Sequence, residues 1–397
     1  MSAPSLFLKY VQQSFAHWSP NEGGPFVYAL KTEGVELRFS SHTQLSDKQF
    51  RFLELVQAST HEWLSQPKLL SSRNVLKMFN EELLVHWISQ FSPQLSHEKW
   101  LHSLEHLRHR SYENRKLKLN LIVTKGQGSF DFLDSNLQKI FNPLANDASV
   151  YFRVDYDFHF LAYDELDPLA RSALECGTMA PECVQAFLSL LEPGDLFIHY
   201  NIYGETLIAS REGLLARYRR GQWLLYEPKD LYVTFLSLFG NPGLGQNLLE
   251  LLFELSYRRH GALLIFDREH RLLNHISNPE VLSPHDDGSP DAHKLLHPII
   301  ACIDLSSPLA RERRKHLVLE LAEVDGAVVF DTQKILAFGA MIEPFGTGTP
   351  CYGSRTLAAL SAASRHAIAC KVSSEGDISL YFQEKETSSP VTELKIF

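Results

Sequence analysis

The chain has 397 residues, a formal net charge of −9, and a composition that is 44% hydrophobic and 21% charged. This composition excludes a disordered protein, and the length exceeds what one hydrophobic core usually supports, so we expect two or three domains. The negative charge argues against a general nucleic-acid binder, because phosphate backbones select basic surfaces. It leaves room for a nucleotide pocket, which needs only one or two local cations.

The N-terminal residues, the apolar runs and the cysteines predict the cellular compartment of the protein. The first residues lack a basic segment leading into an apolar one, and no apolar run nears the ~20 residues that span a bilayer. We therefore expect a cytoplasmic protein without a membrane anchor. An odd number of cysteines without a Cys-x-x-Cys pair predicts reduced thiols, with no disulfide framework and no zinc site. The cysteines are Cys176, Cys183, Cys302, Cys351 and Cys370.

Along the first 150 residues, apolar spacing predicts helices over residues 47–66, 72–91 and 96–113. A strand follows at residues 118–123, and a further helix is predicted over residues 130–141. Residues 150–160 alternate between polar and apolar types, which predicts one long strand. On that strand Asp155, Asp157 and His159 share one face, which we interpret as a solvated acidic side.

The next segment predicts a helix over residues 182–191 and then a small antiparallel sheet. Its strands are expected at residues 196–200, 206–210, 213–219 and 222–226, separated by glycine turns. Arg217, Arg219 and Arg220 indicate either a solvated hairpin edge or an anion site. We interpret residues 1–240 as an α+β regulatory region, either one domain or two subdomains divided near residues 145–195.

Residues 241–390 form the second predicted domain, an α/β unit. A helix over residues 248–259 leads into the apolar strand Gly261-Ala262-Leu263-Leu264-Ile265-Phe266. Asp325-Gly326-Ala327 opens a second strand, residues 334–340 a third, and a glycine- and threonine-rich loop follows at residues 346–350. Gly353-Ser354-Arg355-Thr356 then begins an alanine-rich helix. A strand at residues 367–372 and the turn Ser373-Ser374-Glu375-Gly376-Asp377 complete the unit.

Two of these motifs have the chemistry of a nucleotide site. Glycine lets a ligand approach the backbone closely, and the Asp325 carboxylate is a hard ligand suited to Mg²⁺ or Mn²⁺. The start of the helix offers backbone N–H groups, hydroxyls and the Arg355 guanidinium, which suit a polyphosphate. Each motif alone is more often structural, so the order of the motifs decides the interpretation.

That order resembles the diadenylate cyclase family, also called DisA N-terminal or DAC domains, over about residues 247–383. The family pattern is a Gly-Ala strand, then Asp-Gly-Ala, then Gly-Thr-Arg-His-Arg-Ala-Ala, then Ser-Glu-Glu before a glycine turn. Asp325-Gly326-Ala327 is intact here, and Arg355 matches the first arginine. Thr356 and Leu357 stand where the family has histidine and the second arginine.

The resemblance implies a mixed central sheet flanked by helices and the condensation of two ATP into cyclic di-AMP across a homodimer interface. It implies that Asp325 and Arg355 are catalytic, with Asp325 also binding Mg²⁺ or Mn²⁺. It assigns nucleotide binding to Gly326, Ala327, Gly353, Ser354, Thr356, Ser374 and Glu375. No nucleic acid or membrane is required. The altered helix motif keeps two alternatives open, a nucleotide-binding sensor without this activity and an enzyme that makes a different product.

Overall fold

The computed structural model describes residues 15, 18–19, 26–32, 35–41, 44–64, 73–95, 97–112, 115–145, 149–166, 180–278, 311–345, 353–383 and 391–396. The chain divides into two compact units, Met1–Leu231 and Tyr232–Phe397. The predicted loop at residues 346–350 lies outside the described residues, as do Cys176, Cys302 and Cys351. Every described helix is too short or too polar to span a lipid bilayer.

The first unit contains two small antiparallel elements. Strand β3 pairs with both β1 and β2, and β4 pairs with β5 in a short ribbon; the bounds are β1 Trp18–Ser19, β2 Phe26–Thr32, β3 Val35–Ser41, β4 Ser111–Tyr112 and β5 Arg115–Lys116.

A mixed seven-stranded sheet forms the larger layer of this unit. Its strands are β6 Leu119–Val123, β7 Val150–Val154, β8 Phe160–Glu165, β9 Leu196–Tyr200, β10 Thr206–Ser210, β11 Gly213–Arg219 and β12 Gln222–Leu225. The strand order is β12-β11-β10-β9-β6-β7-β8, and β6 and β7 are parallel. The predicted antiparallel arrangement of the last four strands is confirmed.

Five helices among the described residues lie wholly in the first unit and contribute to its core. Their bounds are α1 Asp47–Leu64, α2 Arg73–Ile88, α3 His97–Arg108, α4 Ser135–Leu144 and α5 Glu182–Leu188. Phe52 of α1 and Trp87 of α2 are fully buried and lie edge to face, with ring centroids 5.9 Å apart. The hydrophobic faces of the predicted helices therefore meet in one aromatic-rich core.

The single strand predicted over residues 150–160 is wrong. The chain turns between β7 and β8, and Phe158 has a left-handed φ of 62°. Asp155 stabilises this turn because its carboxylate accepts the N–H groups of Asp157 and His159 at 3.0 and 2.8 Å. Asp155 is only 6% exposed, so it is a buried turn residue instead of part of a solvated face.

The helix predicted over residues 130–141 begins later than expected. Asp134 is its N-cap and accepts the N–H of Asn136 at 2.7 Å, so α4 starts at Ser135. The preceding residues bond across to the next segment instead: the Phe132 N–H donates to the Phe158 carbonyl at 2.9 Å. A capping carboxylate and a tertiary backbone contact together override the apolar pattern.

Two of the three arginines of the basic hairpin are buried, which corrects their interpretation as a solvated edge, whereas Arg220 at the turn is exposed. Arg217 and Arg219 are 3% and 8% exposed, and both bind the carboxylate of Glu205, at 2.7 and 3.1 Å. Asn201 donates a further hydrogen bond to Glu205 at 3.1 Å. Burial by itself would raise the pKa of Glu205, but the two guanidiniums hold it below its ordinary value. We call Asn201, Glu205, Arg217 and Arg219 the Glu205 cluster.

A mixed six-stranded sheet forms the second unit. Its strands are β13 Ala262–Phe266, β14 Ala327–Phe330, β15 Ile335–Ala340, β16 Ile368–Val372, β17 Ile378–Phe382 and β18 Thr392–Lys395. Their order is β15-β14-β13-β16-β17-β18. Strands β13 and β14 are parallel, and the other neighbours are antiparallel. This arrangement confirms the predicted α/β class with a mixed sheet.

Helices cover both faces of this sheet; they are α6 Pro228–Phe239, which contains the division between the units, α7 Pro242–Arg258, α8 Arg311–Glu323 and α9 Ser354–Ala363. Ala359, Ala362 and Ala363 of α9 pack with the β13 residues Leu263 and Ile265, and these small side chains allow close approach. On the other face, the Phe239 and Phe266 rings lie 5.4 Å apart. The first turn of α9 lies at one end of the sheet face that this helix covers.

Candidate functional site

The sheet directions bring the predicted site residues to one end of the second unit. Because β13 and β14 are parallel, Gly261 and Asp325-Gly326, which immediately precede them, lie at the same end. Strand β16 runs antiparallel to β13, so the turn that follows it, residues 373–377, lies there too. We call this end, with the first turn of α9, the site end.

Asp325 and Gly326 form the bend between α8 and β14. The Asp325 side chain is 90% exposed, so its carboxylate is fully accessible to a ligand. Gly326 has φ 113°, and a Cβ there would lie 2.4 Å from the Gly339 carbonyl carbon. Glycine is therefore required by both backbone angle and space. Ala327 is 1% exposed, so its side chain belongs to the core and only its backbone can contribute to the site.

Arg355 links three parts of the site end. Its guanidinium lies 4.0 Å from the Asp325 carboxylate and is part of a side chain that is 39% exposed. A Cβ at Gly261 would lie 2.5 Å from Arg355 Nη1 and 3.3 Å from the Ser374 backbone nitrogen. Gly261 thus makes room for the guanidinium at the start of β13. The sequence predicts Gly261 as part of a strand motif, and Gly261 was not among the predicted site residues.

The Ser373–Asp377 turn presents Ser374 and Glu375 to solvent. Ser373 Oγ accepts the Asp377 N–H at 2.9 Å, which closes the turn. Gly376 has φ 86°, and a Cβ there would lie 2.4 Å from the Ser256 carbonyl oxygen of α7. The turn is therefore held against α7, and its two exposed residues are presented at the site end on a fixed backbone.

The first turn of α9 contains the remaining predicted residues. Gly353 is the N-cap, has open space around its Cα, and makes no side-chain capping bond. Ser354 is exposed, and Thr356 Oγ1 accepts a hydrogen bond from Lys371 Nζ at 3.0 Å. The N–H groups of this turn and the Arg355 guanidinium suit an anionic ligand. Leu357 is half-buried and adds no polar group.

Lys371 is a functional candidate that our sequence analysis missed. The signal is a lysine inside the apolar strand Ile368-Ala369-Cys370-Lys371-Val372. Cys370 beside it is fully buried, and burial raises the pKa of its thiol, so it is an inert core residue.

A divalent metal fits this site only together with a ligand. Among the residues that the structure describes, no group of three or more His, Cys, Asp or Glu side chains could hold a metal ion. Asp325 supplies one accessible carboxylate, and Mg²⁺ commonly binds through one or two carboxylates, waters and substrate phosphates. The donors present therefore fit a metal–nucleotide complex and do not form a preformed metal cage.

Comparison with known proteins agrees with the resemblance in sequence. The family model described as DAC, DisA bacterial checkpoint controller nucleotide-binding, matches residues 250–386, about a third of the chain. This match confirms the resemblance over that region and includes every predicted site residue.

Two solved structures are also similar to part of this chain. One is DacA from Staphylococcus aureus in a double mutant form, 24% identical, covering 38% of this chain and 85% of that chain, with a TM-score of 0.23. The other is a hypothetical membrane spanning protein from Bacillus cereus, 19% identical, covering 42% and 71%, with a TM-score of 0.26. The search of curated proteins found no match.

Proposed function

We propose that the domain at residues 250–386 is a diadenylate cyclase, which joins two ATP molecules into cyclic di-AMP. The observation that carries this proposal is the meeting of the Asp325 carboxylate and the Arg355 guanidinium at the site end, beside Gly261 and Gly326. Both charged groups are accessible, and the backbone around them is shaped for close approach. The match to the family model supports the same function.

The site residues have separate roles in this proposal. Arg355 and the N–H groups of the first α9 turn bind and orient the triphosphate, with the hydroxyls of Ser354 and Thr356, and the Thr356 oxygen also accepts a hydrogen bond from Lys371. The backbone at Gly326 and Ala327 lies against the nucleotide. Ser374 and Glu375 lie near the triphosphate or the metal.

Each half of the reaction is an in-line displacement at phosphorus. The 3′-oxygen of one ATP forms a bond to the α-phosphorus of the other, the bond from that phosphorus to the β-phosphate oxygen breaks, and diphosphate leaves. Asp325 assists the loss of the 3′-hydroxyl proton, which passes to solvent water. Two such steps close the ring and release two diphosphates in all. Asp325 and the phosphates would hold a Mg²⁺ or Mn²⁺ ion, which would neutralise part of the phosphate charge.

Two copies of the domain must face each other, because one site holds one ATP and therefore half of the reacting groups. The dependence on a pair is tested by dilution, since activity per unit of protein should fall once the pair dissociates. The first unit, Met1–Leu231, would regulate the geometry of the two sites. If this unit is regulatory, its deletion should change the rate of nucleotide cyclisation without changing the product. This outcome would distinguish a regulatory unit from a catalytic one.

The second candidate function is nucleotide binding without cyclisation. Thr356 and Leu357 favour it, because Arg355 is the one cationic side chain among the first four residues of α9. One charge-assisted hydrogen bond contributes about 1.5–3 kcal/mol to binding, so a site with fewer cations stabilises the transition state less. The two functions predict the same binding and differ in product.

The deciding experiment is incubation of the purified full chain with ATP and Mn²⁺ or Mg²⁺, followed by chromatography with mass detection. We expect cyclic di-AMP from the wild type, and a loss of at least about 100-fold for Asp325→Asn, by analogy with removal of a transition-state-stabilising group. A thermal melt is the control for folding. ATP binding without product would overturn the cyclase in favour of the binding domain, and a different nucleotide product would replace the chemistry while keeping the site.

A further inference from the structure

Lys371 is a half-buried lysine in a central strand of the second sheet. It pairs with Leu263 across the β13–β16 ladder and, like Ala369, lies on the face that packs against α9. Lysine is rarely placed in such a position, because burying an ammonium is unfavourable unless the charge has a partner. An apolar residue would satisfy the packing of this strand, so the lysine requires another explanation.

The described contacts of Lys371 include no carboxylate, and its Nζ also lies 5.4 Å from the centre of the Tyr381 ring. Its Nζ donates to Thr356 Oγ1 at 3.0 Å and to Tyr381 Oη at 3.2 Å, and both oxygens belong to neutral hydroxyls. Tyr381 in turn donates to Glu393 at 2.7 Å, so the carboxylate is one residue removed from the ammonium. An ammonium has three donors, and two are used. The hydroxyls therefore hold the ammonium in place without neutralising it.

The position of the ammonium adds a second cation to the site end. Thr356, which Lys371 contacts, directly follows Arg355 in the first turn of α9. Arg355 lies against Gly261. Gly261 immediately precedes Ala262 and Leu263 of β13, and Leu263 pairs with Lys371. The two cations thus converge on the same helix start from different elements, one from α9 and one from β16.

Two other arginines of this unit are already engaged. Arg365 Nη1 donates to the carbonyls of Glu343 and Ser361 at 3.0 and 3.1 Å. Arg258 forms an ion pair with Glu254 at 2.9 Å. Lys371 differs from these two arginines because it touches the predicted nucleotide-binding turn, through Thr356.

We propose that Lys371 is a phosphate-binding residue of the site, which contacts the nucleotide triphosphate together with Arg355. It supplies the charge that Thr356 and Leu357 do not. The proposal rests on the proposed nucleotide function and deepens it, because it assigns the triphosphate to the region between the α9 start and the end of β16. Thr356 and Tyr381 are positioning residues that direct the ammonium towards the ligand.

The test is calorimetric binding of ATP, adenosine and inorganic tripolyphosphate to the full chain. Lys371→Met keeps the length and apolar stem of the side chain and removes the charge. We expect it to weaken ATP and tripolyphosphate binding by about 10- to 150-fold and to leave adenosine binding unchanged, because one charged hydrogen bond to phosphate is lost. Lys371→Arg should retain most of the affinity for both phosphate ligands.

Two matched variants separate charge at the site from other effects. Lys334→Met removes a lysine from the turn between β14 and β15, at the opposite end of the same sheet, and should change affinity by less than about 2-fold. Tyr381→Phe removes one of the two hydroxyls that hold the ammonium and should weaken ATP binding by less than about 10-fold.

The outcomes distinguish this proposal from the proposed function. Equal weakening of ATP and adenosine by Lys371→Met, or no weakening, would overturn the role of Lys371 while leaving a nucleotide site. Wild-type protein that binds neither ATP nor tripolyphosphate would overturn both. Selective loss of tripolyphosphate affinity in a protein that makes no cyclic di-AMP would support Lys371 and overturn the cyclase alone.

Discussion

Each of the two units contains a contact between a carboxylate and an arginine, and the two contacts differ in distance and in exposure. In the first unit, Glu205 and Arg217 are 2.7 Å apart and each side chain is 3% exposed. In the second, Asp325 and Arg355 are 4.0 Å apart and are 90% and 39% exposed. A buried charge must be matched within the protein, whereas an exposed and loosely paired charge remains available to a ligand. Exposure therefore separates the buried structural contact from the contact that we propose to be functional.

The largest expected effect on stability comes from breaking the Glu205 cluster. Glu205→Gln removes the carboxylate charge that two buried guanidiniums bind, and we expect it to lower the free energy of unfolding by about 3–5 kcal/mol. Urea unfolding followed by tryptophan fluorescence measures this in the first unit, because Trp18, Trp63, Trp87, Trp100 and Trp223 all lie there.

The matched control for this prediction is Glu212→Gln. Glu212 forms a partly exposed ion pair with Lys48, with side-chain exposures of 41% and 30%, so its loss should cost less than about 1 kcal/mol. An equal effect of the two substitutions would contradict the distinction between buried and exposed charge.

A buried acid in the same unit sharpens the comparison through pH. Burial and the neighbouring Asp230 raise the pKa of Glu227 to about 7 from 4.5. The folded state then binds the proton more tightly than the unfolded state, so this group's contribution is fully present below pH ~4.5 and is lost as the pH rises towards ~7. We expect Glu227→Gln to be more stable than the wild type by about 2–3 kcal/mol at pH 7.5, with no difference near pH 4.5.

Urea titrations at intervals between pH 4.5 and pH 7.5 measure that difference. Glutamine keeps the shape of the side chain and a partner for Ser46, whose hydroxyl lies 3.3 Å from the Glu227 carboxylate. A stability difference that stays constant with pH would show that the effect comes from packing and not from the proton.

The last of these stability effects concerns the backbone beside the Asp325–Arg355 pair. Gly326→Ala places a Cβ 2.4 Å from the Gly339 backbone at φ 113°, and we expect a local loss of about 2–3 kcal/mol. Hydrogen exchange of the β14 and β15 amides, measured by mass spectrometry, localises it. Gly221→Ala is the comparison, since Gly221 has φ 85° with open space and should cost about 1 kcal/mol. Equal losses would show that sterics at Gly339 contribute nothing.

The sequence by itself determined the class of the second unit and the identity of its motifs. Local patterns sufficed for this, because Asp325-Gly326-Ala327 and the Gly353–Thr356 turn are contiguous and each marks the start of one element. The four strands between residues 196 and 226 were equally accessible, since their glycine turns lie beside them in the chain. The glycine-rich loop at residues 346–350 remains a prediction.

Only the tertiary structure decided which charges are buried and which cations converge. Arg217 and Arg219 follow a pattern typical of a solvated hairpin, and their burial depends on Glu205, which belongs to the neighbouring strand segment. The alternation over residues 150–160 matched a strand, but Asp155 accepts backbone N–H groups and turns the chain. Lys371 meets Thr356 from 15 residues away. The pairings of Glu205 and of Lys371 leave no local pattern, because packing between elements creates them.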